Sequence, residues 1–147
     1  MISKDEEYME LAIKQANKCK PVDGAYSVGA VLVNDGGIIS QGYSREIEGN
    51  THAEECCFLK LNDQQINYNQ CTIYTTMEPC SERLSGKKPC LNWILEKGVK
   101  RVVCGIKEPD NFVNCNSTNL LLDNNITVIY LDGFQDLCLQ PNSHLIK

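Results

Sequence analysis

One imidazole, two thiols and one carboxyl stand out in this sequence because of their neighbours: His52-Ala53-Glu54, then Pro79-Cys80, then Pro89-Cys90. An imidazole nitrogen and two thiolate sulfurs have the softness that zinc prefers, and three protein ligands leave the fourth tetrahedral position to water. That open position separates a catalytic zinc from a closed structural one. Zinc lowers the pKa of bound water to about 7. A carboxylate at Glu54 can then take the proton, leaving hydroxide to attack a ring carbon that bears an amine. The same carboxyl returns a proton to the ring nitrogen and to the departing ammonia. His52, Cys80 and Cys90 are therefore expected to hold one Zn2+ per chain, with Glu54 as the proton shuttle of an amine hydrolysis.

These side chains need rigid mounts. A helix N-terminus at His52 and another at Cys80 would let the ligands converge beyond the helix ends, where the positive dipole end also favours a thiolate. Glu54 is too close to His52 to share a lateral helix face, but it can reach a pocket capping the first turn.

The rest of the chain supplies the elements. Ser3 followed by Glu6 and Glu7 has the form of a helix start, and Met9, Leu11, Ile13, Ala16 and Cys19 continue at helical spacing up to Pro21. Val28 to Val33 is a β-branched run, Asn34-Asp35-Gly36-Gly37 is turn chemistry, and Ile38 to Tyr43 extends again, which predicts a hairpin. A helix is expected from His52 to Leu61, a strand over Cys71–Thr76, and a helix over Leu91–Lys97 stopped by Gly98. Arg101–Ile106 reads as a strand, Thr118–Leu122 as a short helix, Ile126–Leu131 as a last strand before a terminal helical segment. The order α-β-β-α-β-α-β-α-β-α implies an α/β protein with three layers: a mixed sheet of about five strands with helices on both faces.

With 147 residues and 42% hydrophobic content, one domain spanning 1–147 is expected. Fourteen basic against 19 acidic residues, a net charge of −5, argue against a nucleic-acid polymer as ligand. The charged first residues and the lack of any long apolar run predict a soluble, unsecreted, cytoplasmic protein with no membrane span, small enough to enter the nucleus. Nine cysteines, an odd number in a chain without a secretion signal, read as reduced thiols. Apart from Cys80 and Cys90 they are expected to behave as small hydrophobes. His144 has no companion at ligand spacing.

The chain resembles the cytidine-deaminase-like superfamily, whose signature is H-x-E followed by P-C-x-x-C with the glutamate as general acid and base. Here nine residues separate the cysteines, from Ser81 to Pro89, in place of two. A long interval ending in Gly86-Lys87-Lys88-Pro89-Cys90 is similar to the riboflavin-pathway pyrimidine deaminases. Gly49-Asn50-Thr51-His52-Ala53-Glu54, Thr76-Met77-Glu78-Pro79-Cys80-Ser81, Tyr43-Ser44-Arg45-Glu46 and Lys107-Glu108-Pro109 resemble their fungal branch. That resemblance implies a cytidine-deaminase-like fold and a phosphorylated pyrimidine substrate, 2,5-diamino-6-ribitylamino-4(3H)-pyrimidinone 5′-phosphate, whose 2-amino group is replaced by oxygen. It also implies a homodimer or larger assembly. In bacterial relatives the basic residue after the loop glycine contacts substrate, and that position falls on Lys87.

Three further residues are candidate substrate contacts: Asn50, just before the metal helix; Ser81, whose hydroxyl could instead cap a helix; and Arg45, a source of charge for a phosphate along with Arg83 and Lys88. Where bacterial relatives carry an asparagine before the first strand and a histidine after the second, this chain has Ala25-Tyr26-Ser27-Val28 and Tyr43-Ser44-Arg45. Competing readings are a deaminase of cytosine, a cytidine nucleotide or tRNA adenosine, and, from another class, a non-catalytic zinc-binding partner subunit.

Overall fold

A computed structural model describes residues 3–35, 37–62, 64–109 and 116–145. Ser3 starts the first helix, α1 (Lys4–Ala16), by a capping box: its Oγ accepts the Glu6 N–H at 3.2 Å while Glu6 Oε1 accepts the Ser3 N–H at 3.1 Å. β1 (Gly29–Asn34) and β2 (Gly37–Tyr43) form the expected hairpin, and Asp35 takes the positive φ that a tight reversal demands. The chain continues through α2 (Ala53–Leu61), β3 (Cys71–Met77), α3 (Cys90–Lys97), β4 (Arg101–Ile106), α4 (Ser117–Asp123), β5 (Thr127–Tyr130) and α5 (Gln135–Leu139). Gly98 ends α3 in the left-handed conformation, the expected stop signal.

The five strands lie in the order β2-β1-β3-β4-β5. β1 runs antiparallel to both neighbours, whereas β3, β4 and β5 are parallel to one another and are joined through α3 and α4. Strand alternation sorts the core into two layers. Ala30 and Leu32 of β1 face Phe58 of α2, Ile94 of α3 and Leu121 of α4, while Val31 and Val33 face Met9 and Ile13 of α1 and Cys138 of α5. Burying Phe58 fully contributes roughly 2–3 kcal/mol, and its ring stacks on Trp93 with centroids 6.0 Å apart, joining α2 to α3. The mixed sheet covered by helices on both faces is thus as the pattern predicts.

The hairpin also sets how closely α2 can approach. A side chain on Gly42 of β2 would overlap the Ala53 carbonyl and the Cys56 Cβ, so the helix backbone rests directly on this strand. The first turn of α2, with Glu54, is thereby held at the sheet. Among the described residues no helix is long and apolar enough to cross a membrane.

Candidate metal centre and active site

The functional cluster is built at the start of α2 and just beyond the end of β3. Gly49 and Asn50 have φ of +103° and +60°, a left-handed pair that turns the chain sharply into the helix. Thr51 locks the turn by accepting the Ile47 N–H and donating to the Ile47 carbonyl through one hydroxyl. His52 is the N-cap residue in extended conformation, and its N–H is accepted by Glu55 Oε1 at 3.0 Å. The imidazole is thus fixed at the mouth of α2 and Glu54 lies in the first turn behind it.

Cys80 departs from the expected arrangement. It stands in irregular chain after β3, and the second helix N-terminus belongs to Cys90. The reason is local: the segment from Ser81 to Pro89 contains Gly86 at φ +79° and ends in Pro89, which holds the extended cap geometry from which α3 starts. Cys80 caps that helix from across the loop, its Sγ accepting the Cys90 N–H at 3.2 Å and its carbonyl accepting the Leu91 N–H at 3.0 Å. The dipole argument for a thiolate survives, with α3 as the donor helix.

His52 Nδ1 lies 3.5 Å from Cys80 Sγ and 3.4 Å from Cys90 Sγ, and the three ligand atoms are all within 4.8 Å of one another. Cys80 and Cys90 are buried, and Glu54 is only 3% exposed. The Cys90 thiol and the His52 ring beside Cys80 hold its thiol well below the ordinary range. Cys90 is pushed up by that neighbouring thiolate and by burial. Two sulfurs this close hold one negative charge between them but resist a second, and a cation between them and the ring would let both ionise. The soft donor set and the crowded negative charge therefore fit a thiophilic divalent metal. Burial, reinforced by the Cys80 charge, pushes Glu54 up to about 7.

His52, Glu54 and Cys80 line a cavity of about 140 Å³. Tyr26, Val28, Met77 and Leu84 give it apolar walls, and Asn50, Arg45, Arg83 and Glu78 give it polar ones. The sequence candidates sort unevenly over it. Asn50 and Arg45 line it; Ser81 and Lys87 are not among the lining residues. Ser81 Oγ instead accepts the Asn116 N–H at 3.0 Å, and Lys87 is exposed, with its Nζ above Gly49. Arg45 sits at φ +65° and uses its guanidinium to bind the carbonyls of Tyr26 and Lys20 and the Ser27 hydroxyl, at 3.0 to 3.1 Å. It fastens the chain segment that forms one cavity wall.

Arg83 and Glu78 have larger places than their sequence context suggests. Arg83 forms a buried ion pair with Glu55 at 3.0 Å. Glu78 accepts the Glu108 N–H at 3.2 Å and the Thr118 hydroxyl at 2.7 Å, tying the end of β3 to the chain after β4 and to α4. A motif shows only that Glu78 precedes Pro79-Cys80; its partners are 30 and 40 residues away. The eight cysteines that can be described are all free thiols, as expected; Cys115 lies outside the described residues. His144 is apart from the cluster, its Nε2 2.8 Å from the Val22 carbonyl.

Residues 2–106 match the zinc-binding region of cytidine and deoxycytidylate deaminases. The chain belongs to that deaminase family. Among curated relatives, it is 48% identical over 137 residues to the diaminohydroxyphosphoribosylamino-pyrimidine deaminase of Schizosaccharomyces pombe, covering 92% of this chain and 34% of that protein. It therefore spans about a third of that relative's length. The cytosine deaminase of Candida albicans is 29% identical, with 97% of this chain and 89% of that protein covered. Among solved structures, the Rib2 deaminase of Aspergillus oryzae, a C-terminal deletion mutant, superposes with a TM-score of 0.83 at 29% identity, covering 95% of this chain and 90% of that one. The same Aspergillus protein has been solved in complex with DARIPP. The deaminase-family fold and the five-stranded sheet of this chain agree with these neighbours.

Proposed function

We propose that this chain is the zinc-dependent hydrolase that deaminates 2,5-diamino-6-ribitylamino-4(3H)-pyrimidinone 5′-phosphate to 5-amino-6-ribitylaminouracil 5′-phosphate in riboflavin synthesis. The observation that carries the reading is the convergence of His52 Nδ1 with the Cys80 and Cys90 sulfurs, beside a cavity lined by His52, Cys80 and the buried Glu54. The likeness to the fission-yeast diaminohydroxyphosphoribosylamino-pyrimidine deaminase supports a phosphorylated aminopyrimidine as substrate, and the ribityl form rests on the resemblance to the fungal branch. A homodimer, which rests on family resemblance, and a cytoplasmic location, which rests on the sequence pattern, complete the reading.

His52, Cys80 and Cys90 would hold the zinc, which when bound acts as a Lewis acid and makes water acidic near neutrality. Burial holds the Glu54 carboxyl above its ordinary value in the metal-free protein, which suits a group that must both accept and return a proton. Glu54 takes one from the attacking water and gives it to the ring nitrogen, then takes the second from the hydroxyl added to the carbon and gives it to the amine, which leaves as ammonia as the C–N bond breaks and the carbonyl forms. The apolar walls from Tyr26, Val28 and Met77 suit a flat heterocycle and keep bulk water from the reacting carbon. Asn50 at the cavity edge is placed to hydrogen-bond the ring or the sugar, and Arg45 adds positive charge to a cavity that must take a phosphate.

Cytosine deamination is the second reading, favoured by the near full-length match to the Candida enzyme. Zinc-loaded protein incubated with the diamino-ribitylamino-pyrimidinone phosphate, its ribosyl analogue, cytosine, cytidine and dCMP separates the two through ammonia release. Turnover of the ribityl phosphate is the expected result. Activity confined to cytosine or cytidine compounds would overturn the substrate assignment, and none with any of them would overturn the enzyme reading.

A further inference from the structure

We infer that Arg83 and Glu55 form a clamp that closes the long Cys80–Cys90 loop onto the start of α2 and so sets the affinity of the metal centre. The inference rests on the metal reading of His52, Cys80 and Cys90, and it is independent of which pyrimidine is the substrate.

The loop poses a physical problem. Nine residues between two ligands cost entropy to order, and the segment has no helix or strand of its own to hold it. Two of the three metal-binding residues, Cys80 and Cys90, flank it, whereas the third, His52, stands at the start of α2. A single guanidinium bridges the two. Arg83 Nη1 donates to Glu55 Oε1 and to the Lys88 carbonyl, both at 3.0 Å, and Nη2 donates to the Asn50 carbonyl at 2.6 Å. Asn50 lies two residues before His52, and Lys88 two residues before Cys90. The same Glu55 oxygen that receives Arg83 also receives the His52 N–H. Backbone groups beside His52 and Cys90 are thus pinned to one planar cation.

The clamp is buried: the Arg83 side chain is 1% exposed and that of Glu55 12%. In such surroundings the pair is shielded from salt, and removing either partner leaves an uncompensated charge. The planar fork is essential, because three acceptors in different directions cannot be met by the point charge of a lysine. Outer residues that orient metal ligands commonly govern affinity by about 10–100-fold.

The test is zinc affinity measured by chelator competition on the whole chain, with circular dichroism to confirm folding. Arg83→Lys keeps the charge, and Glu55→Gln keeps an oxygen acceptor for the His52 N–H, so both are chosen to fold. Each is expected to bind zinc about 10–100-fold more weakly, and the double variant no more weakly than the worse single one, because the two residues act as a unit. Zinc affinity in both singles within twofold of the parent would sink the clamp. Additive losses in the double variant would also sink it, since they would mean two unconnected contributions. A parent protein that takes up no zinc would instead sink the metal reading itself.

Discussion

Asp5 on α1 and Glu54 on α2 are both acidic residues in the first turn of a helix packed on the sheet, yet their surroundings push them in opposite directions. Asp5 receives a two-pronged contact from Arg101, 2.6 Å and 3.1 Å, and the Tyr74 hydroxyl at 2.5 Å. The Arg101 hydrogen bonds hold its carboxyl below the ordinary value. Among the described residues Glu54 forms no ion pair; burial and the Cys80 thiolate, opposed by the His52 ring, raise it to about 7. One cluster satisfies its charges and serves the fold. The other keeps negative charge in conflict, which is the condition for binding a cation and for moving protons at neutral pH.

The largest effect that tests this contrast is Glu54→Gln. Turnover should fall by about 10²–10⁴-fold, while zinc content measured by metal analysis stays at the parental level. Metal-free stability should move the opposite way. Because the native pKa of Glu54 is raised above 4.5 to about 7, the folded chain holds a proton that the unfolded chain releases, so stability falls as pH rises between those values. Glu54→Gln should remove that fall and gain up to about 3 kcal/mol at pH 8 in urea titrations of metal-free protein. Parental turnover in the variant would refute the proton-shuttle role.

Next in size is a pair of glycine substitutions that loads the two helices separately. A side chain on Gly29 would overlap the Ala12 carbonyl and the Ala16 nitrogen of α1, as one on Gly42 would overlap α2. Gly29→Ala and Gly42→Ala should each cost about 1–3 kcal/mol by thermal or urea unfolding. Only Gly42→Ala should also weaken zinc binding, because it displaces the helix that carries His52 and Glu54. Equal zinc affinity in the two would show that the position of α2 does not govern the site.

The smallest effect belongs to Asp5→Asn. Asp5 and Arg101 are 26% and 33% exposed, so solvent screens the pair and the expected cost is about 1 kcal/mol or less at pH 7. The native pKa lies below 3.8, so this stability is present above that value and is lost as pH falls through the native pKa. Turnover should be unchanged in Asp5→Asn, and its stability deficit should vanish in acid. A deficit independent of pH would mean that packing, not charge, is lost.

Legibility differed along the chain for physical reasons. The capping box at Ser3, the hairpin at Asn34–Gly37, the stop at Gly98 and the helix opening at His52 rest on contacts within a few residues, and sequence order displays such contacts directly. A helix start at Cys80 is suggested only by chemistry, a thiol that needs a dipole, and the helix that supplies the dipole begins ten residues later at Cys90, next to the expected Leu91–Lys97. Motif position favours Lys87 over Arg83. The folded loop leaves Lys87 exposed and buries the Arg83 side chain, whose carboxylate partner is 28 residues distant.

The sequence by itself determined the reactive groups, the order of elements and the layering of the sheet, because ligand chemistry, cap residues and hydrophobic period are local properties. Only the tertiary structure decided which basic side chain is buried beside the cluster, which helix donates to Cys80, and how far Glu54 is raised. Each of these depends on burial and on partners brought together through space, and a linear pattern carries neither distance nor desolvation. His52, Glu54, Cys80 and Cys90 could be named from their spacing; the clamp of Arg83 and Glu55 required the fold.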